Sequence, residues 1–158
     1  MKIAILTSYL DNIGGAEYVS LVLAKELNAE IYTTNVDWDK IKKMGFSGLK
    51  IYSIGKVPKN PPFRQQLVFW KFRFLNLKKK YDFYIVSGDW AMSALVNNKP
   101  NLWYIHSPLN EVWQFKDYVK SMLPNYQKPI FELWAKYIRN KNKKYIKNSK
   151  ILIANSNN

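Results

Sequence analysis

The stretch "LTSYLDNIGGAEYVSLVLAKEL", residues 6–27, joins the end of an apolar run to a segment with helical spacing. The run it closes, residues 2–7, is short, apolar and rich in isoleucine, which is typical of a buried strand. Apolar residues then recur near the period of an amphipathic helix, at Ala16, Val19, Val22, Leu23 and Leu27. A strand, a glycine-containing loop and a helix in this order begin a β–α–β unit and predict an α/β fold.

The rest of the chain repeats this alternation. Further short apolar runs predict strands at residues 30–35, 49–55, 82–88, 102–107 and 150–155. Helical spacing predicts helices at 15–28, 36–45 and 129–147, the last with Ile130, Trp134, Tyr137 and Ile138 on one face. Residues 67–80 show both helical and strand-like spacing, and their length favours a helix. The pattern predicts a Rossmann-like, doubly wound parallel sheet of about six strands, covered by helices on both faces.

Composition limits the class of protein. The chain has 158 residues, of which 47% are hydrophobic and 23% charged, so it can form one domain with a substantial core. It contains no cysteine, which excludes a disulfide framework and thiolate chemistry. Its beginning turns polar too early for a signal peptide, and no apolar run approaches the roughly 20 residues that span a bilayer. We therefore predict a cytoplasmic protein that is soluble or peripheral to the membrane.

Positive charge is concentrated in two blocks. The net charge is +14, yet residues 1–39 are acidic on balance. Residues 40–81 contain ten lysines, two arginines and no acidic residue, and residues 133–150 again contain basic residues without an acid. Such blocks attract an anionic partner, which is a phospholipid surface, a nucleic acid or a phosphorylated ligand.

The two adjacent glycines mark a place where a ligand can approach the backbone. Gly14 and Gly15 permit a positive φ, and the helix that follows them presents free N–H groups that suit a phosphate. The alternative is a tight turn without a ligand. The dinucleotide fingerprint G-x-G-x-x-G is absent, which disfavours a Rossmann dehydrogenase. Asp37, after the second predicted strand, is weak evidence for a ribose-binding acid.

Ligands of open α/β sheets bind where the strands end, and two titratable residues stand at such places. His106, the only histidine, ends a predicted strand and either is structural or bonds a sugar hydroxyl or a phosphate. Asp89 either caps the following helix or bonds sugar hydroxyls. Four strand-end stretches are expected to meet in the fold: 8–17, 87–91, 106–111 and 155–158. The sequence contains no zinc-ligand motif and no hydrolase nucleophile elbow.

Three motifs occur in order along the chain: "GGAE" (14–17), "YIHSP" (104–108) and "IANS" (153–156), each after a predicted strand. In this order and spacing they resemble the N-terminal domain of family 4 glycosyltransferases, which are retaining enzymes of the GT-B architecture. The resemblance covers nearly the whole chain. It implies that residues 1–158 form the acceptor-side domain, that the donor-binding C-terminal domain is absent from this chain, and that the chain alone transfers no sugar.

The resemblance also implies roles for individual residues. The loop of Gly14, Gly15, Ala16 and Glu17 would lie against the diphosphate of a nucleotide-sugar donor, and His106 would act beside the transferred sugar. We also predict that Asp89, Ser107, Asn155 and Ser156 bind the substrate. No cofactor and no metal would be required, because the retaining reaction would run by positioning and by stabilising the leaving diphosphate.

Many members of that family glycosylate lipid-linked acceptors at the inner face of a membrane. Residues 63–80 combine aromatic with basic side chains and contain no acid, which suits an anionic bilayer surface. The same aromatic residues are equally compatible with a protein core. The residues predicted to face the membrane are Arg64, Trp70, Lys71, Arg73, Lys78, Lys79 and Lys80.

Two other classes of function remain compatible with the sequence. One is a non-catalytic nucleic-acid-binding module, in which basic blocks contact phosphates and aromatic residues stack on bases. No nucleic-acid-binding motif supports it, and steep salt dependence of oligonucleotide binding would favour it. The other is a different nucleotide-binding α/β domain, of the epimerase or reductase type, which tight binding of a nicotinamide cofactor would favour.

Overall fold

The computed structural model of the chain describes residues 1–60, 63–78, 80–106 and 109–154. The strands are β1 (Ile3–Thr7), β2 (Glu30–Thr33), β3 (Ile51–Ser53), β4 (Phe83–Ser87), β5 (Asn101–Ile105) and β6 (Ile151–Ala154). The α-helices are α1 (Gly15–Glu26), α2 (Trp38–Lys43), α3 (Phe63–Phe74), α4 (Lys116–Ser121) and α5 (Lys128–Ile146). Two 3₁₀ helices span Trp90–Val96 and Asn125–Gln127.

The strands form one sheet in the order β3-β2-β1-β4-β5-β6, and every neighbouring pair is parallel. In the centre, Ile5 of β1 pairs with Ile31 of β2 on one side and with Ile85 of β4 on the other. The chain therefore winds outward from β1 in both directions, and the order reverses between β1 and β4. This confirms the predicted doubly wound, Rossmann-like fold, and it sets the switch point of the sheet between these two strands.

Helices cover both faces of the central strands, because successive strand side chains point to opposite faces. All four residues of the edge strand β6 are exposed. Ile3 and Ile5 of β1 pack in one core cluster with Leu21 and Ala24 of α1. Leu6 belongs to a second cluster, which contains residues of α3, of the first 3₁₀ helix and of α5. All five β1 residues are buried, as expected for a central strand of a parallel sheet.

Helix α1 begins and ends where the local chemistry favours it. Glu17, in the first turn, accepts a hydrogen bond from the backbone N–H of Gly14 at 3.0 Å. Asn28, just past the end of the helix, adopts φ of +47°, the left-handed conformation that asparagine tolerates. The fully buried residues of α1 include Leu21 and Ala24. They are one position before Val22 and one position after Leu23, which belong to the face that the sequence predicts.

The faces of α3 and α5 differ in part from the prediction. Helix α3 begins at residue 63 rather than 67 and ends at residue 74 rather than 80. Its buried residues are Val68, Phe69 and Phe72, whereas Trp70 and Phe74 are exposed. In α5 the buried residues are Ala135, Ile138 and Tyr145, whereas Ile130 and Tyr137, which the sequence places on one face with Ile138, are exposed.

The first 3₁₀ helix and α4 were not predicted as such. Residues 90–95 are all buried, and the 3₁₀ helix packs against α3 on the same face of the sheet. Its composition, Trp-Ala-Met-Ser-Ala-Leu, lacks the polar positions that mark a surface helix. Among the described residues, the helices are too short or too polar for any of them to cross a membrane.

Candidate functional site at the switch point of the sheet

A pocket of about 230 Å³ lies at the carboxyl ends of β1 and β4, which is the switch point. The structure brings three of the four predicted strand-end stretches together there. The lining residues are Thr7, Ser8, Tyr9, Ala16, Glu17, Ser87, Gly88, Asp89, Trp90, His106, Leu109, Asn110 and Glu111. The fourth stretch, residues 155–158, lies outside the described residues. The predicted substrate-binding residues Asn155, Ser156 and Ser107 therefore also lie outside them.

A chain of hydrogen bonds orients the imidazole of His106. Its Nε2 lies 2.8 Å from the hydroxyl oxygen of Ser87, which lies 2.7 Å from the hydroxyl oxygen of Ser20. Ser20 donates its own proton to the carbonyl oxygen of Ala16 at 3.0 Å, so Ser87 must donate to Ser20. Because the hydroxyl hydrogen of Ser87 is used in its bond to Ser20, the oxygen of Ser87 must accept a hydrogen bond from Nε2 of His106. Nε2 therefore carries a hydrogen. This network assigns the lone pair of a neutral ring to Nδ1.

The protonation state of His106 follows from its surroundings. Burial lowers the pKa of the imidazole below its usual value, and the carboxylate of Glu17 opposes this effect. The ring is therefore neutral at pH 7. The imidazole also contacts Tyr104 edge to face, with the ring centroids 4.6 Å apart. A neutral, oriented imidazole is suited to hydrogen bonding with a ligand group that carries a proton.

The glycine loop has no left-handed backbone angle at either glycine. Gly14 has φ of −103°, and neither Gly14 nor Gly15 adopts the positive φ that a glycine permits. Gly15 is the first residue of α1, and the pocket is lined by its neighbours Ala16 and Glu17 rather than by the glycines themselves. The positive φ at the pocket belongs to Gly88, at +85°.

Asp89 is a half-buried acid, and one of its carboxyl oxygens has no hydrogen-bond partner among the described residues. Burial raises the pKa of its carboxyl group to about 7, and the nearby charge of Glu111 adds to the rise. The side chain makes no capping hydrogen bond to the 3₁₀ helix that follows it, so it does not act as the helix cap that the sequence allowed. Its Oδ1 is buried and has no hydrogen-bond partner among the described residues. The Oδ1 of Asn110, which lines the same pocket, is buried and unpartnered in the same way.

A buried ion pair lies behind the pocket wall. The guanidinium of Arg64 is paired with the carboxylate of Asp11, and the two side chains are 12% and 8% exposed. The same guanidinium stacks over the ring of Tyr9, 3.8 Å from the centroid. Arg64 lies in the first turn of α3, so this contact ties α3 to the loop that follows β1. The basic composition of residues 63–80 gave no sign that one of its arginines is internal.

The other residues predicted at the membrane surface have different environments. Lys78 and Trp70 are exposed, whereas Arg73 is half-buried. Lys71 is half-buried and donates to the carbonyl oxygen of Ile54 at 3.2 Å. Lys80 is exposed, but its ammonium group donates to the hydroxyl of Tyr32. Lys79 lies outside the described residues.

The candidate ribose-binding acid, Asp37, has a structural role, and no metal site is found among the described residues. Asp37 caps α2 by accepting a hydrogen bond from the backbone N–H of Lys40 at 3.0 Å, which accounts for an acid at the end of β2. Within the part of the chain that the structure describes, no group of three or more histidine, cysteine, aspartate or glutamate residues is arranged to hold a metal ion.

Comparison with models of protein families, with curated proteins and with solved structures finds no match to this chain.

Proposed function

We propose that this chain is the acceptor-side domain of a retaining GT-B glycosyltransferase that uses a nucleotide-sugar donor. The observation that carries the proposal is the pocket at the switch point, which is built from three separate strand-end stretches and contains His106. Open α/β sheets bind their ligands at this position. The order of the motifs at residues 14–17, 104–108 and 153–156 supports the same class of enzyme.

The described side chains suit a sugar better than a base. The neutral imidazole of His106 and the carboxyl group of Asp89 can each hydrogen-bond a hydroxyl group. In the proposed reaction these residues position the sugar, while a second domain supplies most contacts to the donor and closes over the cleft. Glu17 already occupies the N–H of Gly14, so a donor diphosphate that reaches the start of α1 must displace this carboxylate.

We further propose that α3 attaches this domain to an anionic membrane surface, where the acceptor is located. Phe63, Leu67, Trp70 and Phe74 are spaced by three or four residues, so they lie on one face of the helix. Their exposed fractions are 68%, 41%, 40% and 75%. Exposed Lys78 follows the helix and adds positive charge. An aromatic face next to basic residues favours the boundary between headgroups and acyl chains.

The experiment that tests the enzymatic proposal uses the complete gene product that contains this chain. Radiolabelled nucleoside-diphosphate sugars are incubated with it and with a membrane lipid extract, and labelled lipid is measured. We expect transfer from at least one donor with retention of the anomeric configuration. Absence of transfer from every donor, together with tight binding of a nicotinamide cofactor or of oligonucleotides, would replace the proposal with one of the two alternatives.

A further inference from the structure

The pocket at the switch point has a charge opposite to that of the whole chain. The protein carries a net charge of +14, but the charged side chains among the described lining residues are the acids Glu17, Asp89 and Glu111. No lysine or arginine is among those lining residues. Arg64, which stacks on the lining residue Tyr9, is already paired with Asp11. A ligand held here meets acceptors and negative charge.

Two buried acceptors in the pocket lack the donors that they need. Oδ1 of Asp89 and Oδ1 of Asn110 are both buried, and neither finds a hydrogen-bond donor in residues 1–60, 63–78, 80–106 or 109–154. A buried acceptor without a partner costs about 1–3 kcal/mol, so such groups in a pocket are typically satisfied by a ligand or by water. They belong to segments that follow different strands, β4 and β5, and they line one pocket.

The start of α1 does not compensate for this negative charge. A helix N-terminus attracts anions, but here the carboxylate of Glu17 accepts from the N–H of Gly14 and occupies that position. Binding of a phosphate in the pocket would place its charge beside Glu17, Glu111 and Asp89 without a cationic side chain to offset it. The pocket therefore disfavours the diphosphate part of a substrate and favours a group that donates hydrogen bonds.

We propose that this pocket binds an amine-bearing sugar, with the protonated amino group held by Asp89, Asn110 and Glu111. The inference rests on the proposed function and specifies the class of sugar. A hydroxyl group donates one hydrogen bond and carries no charge, whereas an ammonium group donates three and offsets the carboxylates. The volume of about 230 Å³ is smaller than the roughly 300–1,000 Å³ of pockets that enclose drug-sized ligands, so it suits a single ring.

The charges that face Asp89 come from each wall of the pocket. Glu17 stands on α1 and Tyr9 on the loop after β1, with the Arg64–Asp11 pair behind Tyr9. His106 and Glu111 stand on the segment that follows β5, and His106 is neutral at pH 7. An ammonium group near Asp89 favours the ionised carboxylate, so binding of the amine at pH 7 should release a proton from the protein.

The test is a nuclear magnetic resonance titration of this chain with three probes at pH 7: glucosamine, glucose and N-acetylglucosamine. We expect glucosamine to bind at least about tenfold more tightly than the two neutral sugars. Asp89→Asn and Glu111→Gln should each remove most of this preference, and the second variant serves if the first does not fold. Glu26→Gln, at an exposed position at the end of α1, should keep the preference.

Each other outcome contradicts the inference. Equal affinity for glucosamine and glucose, no binding of any of the three probes, or shifts that map outside the pocket would each reject it. Binding of inorganic pyrophosphate in competition with glucosamine would show instead that the pocket takes the diphosphate. The two proposals fail separately: sugar transfer without an amine preference rejects only the inference, and amine binding without transfer by the complete gene product rejects only the glycosyltransferase.

Discussion

Nε2 of His106 donates a hydrogen bond to the hydroxyl group of Ser87 over 2.8 Å, across the ends of the neighbouring strands β5 and β4. Because Ser87 in turn donates to Ser20 of α1, one network links the imidazole to the helix that begins at the glycine loop. The orientation of the only histidine is thus determined by residues of two elements, β4 and α1. His106 also lines the pocket at the switch point, a position that a purely structural histidine would not require.

We predict that His106→Ala in the complete gene product lowers turnover by about 10², because the sugar that the imidazole positions would be misplaced relative to the reacting groups. His106 is half-buried at a pocket wall, so the fold should survive, as judged by an unchanged circular dichroism spectrum. Ser87→Ala should lower turnover less, because it releases the ring without removing it. Normal turnover of the His106→Ala protein would assign this residue a structural role alone.

Asp89 should make the stability of the domain depend on pH. Its pKa is raised from 3.8 to about 7, so the folded state binds more protons than the unfolded state between about pH 4 and pH 7. The free energy of unfolding must therefore fall as the pH rises through this window, by about 4 kcal/mol in total if one unit is worth about 1.4 kcal/mol.

Asp89→Asn cannot ionise, so the variant should gain stability relative to the wild type from pH 4 to pH 7, and the difference should level off above pH 7. Urea unfolding at several pH values measures this. Parallel pH profiles of the two proteins would show that Asp89 is as well solvated in the folded state as in the unfolded one.

The Arg64–Asp11 pair should matter for stability more than any exposed lysine of the same segment. Arg64→Met leaves the buried carboxylate of Asp11 without its partner and should cost about 3–5 kcal/mol of the free energy of unfolding. The double variant Arg64→Met and Asp11→Leu removes both charges and should lose less. Lys78→Met, at an exposed position, is the control and should change stability by less than about 0.5 kcal/mol. Equal effects of Arg64→Met and Lys78→Met in urea unfolding would mean that the pair is open to solvent.

The exposed face of α3 should bind anionic liposomes. Replacing Trp70 and Phe74 by serine should weaken sedimentation with such liposomes about tenfold or more, because two aromatic side chains no longer leave water. Trp38→Ser is the matched control, since Trp38 is 55% exposed on α2 and the core clusters place α2 and α3 on opposite faces of the sheet. Lys78→Glu should weaken binding mainly at low salt, because exposed charges are screened over about 10 Å at 0.1 M. Unchanged sedimentation of the double serine variant would exclude this face from membrane binding.

The sequence by itself determined the fold class and the position of the pocket. Short apolar runs alternating with helical spacing are a property of neighbouring residues, and residues 6–27 already contain a strand, a loop and a helix. All six strands were predicted with bounds close to those observed. Since the carboxyl ends of parallel strands meet at one edge, the stretches around Glu17, Asp89 and His106 were expected to converge.

Only the tertiary structure decided what these residues can do. Ser20 and Ser87 are 67 positions apart, and Arg64 and Asp11 are 53 apart, so no local pattern records their contacts. The pKa of Asp89 depends on burial and on Glu111, neither of which periodicity describes. Spacing along residues 67–80 likewise favoured a helix but could not say which of its faces packs against the core. The burial and the electrostatic environment of a residue depend on all the residues around it in space. The fold brings these residues together from distant parts of the chain.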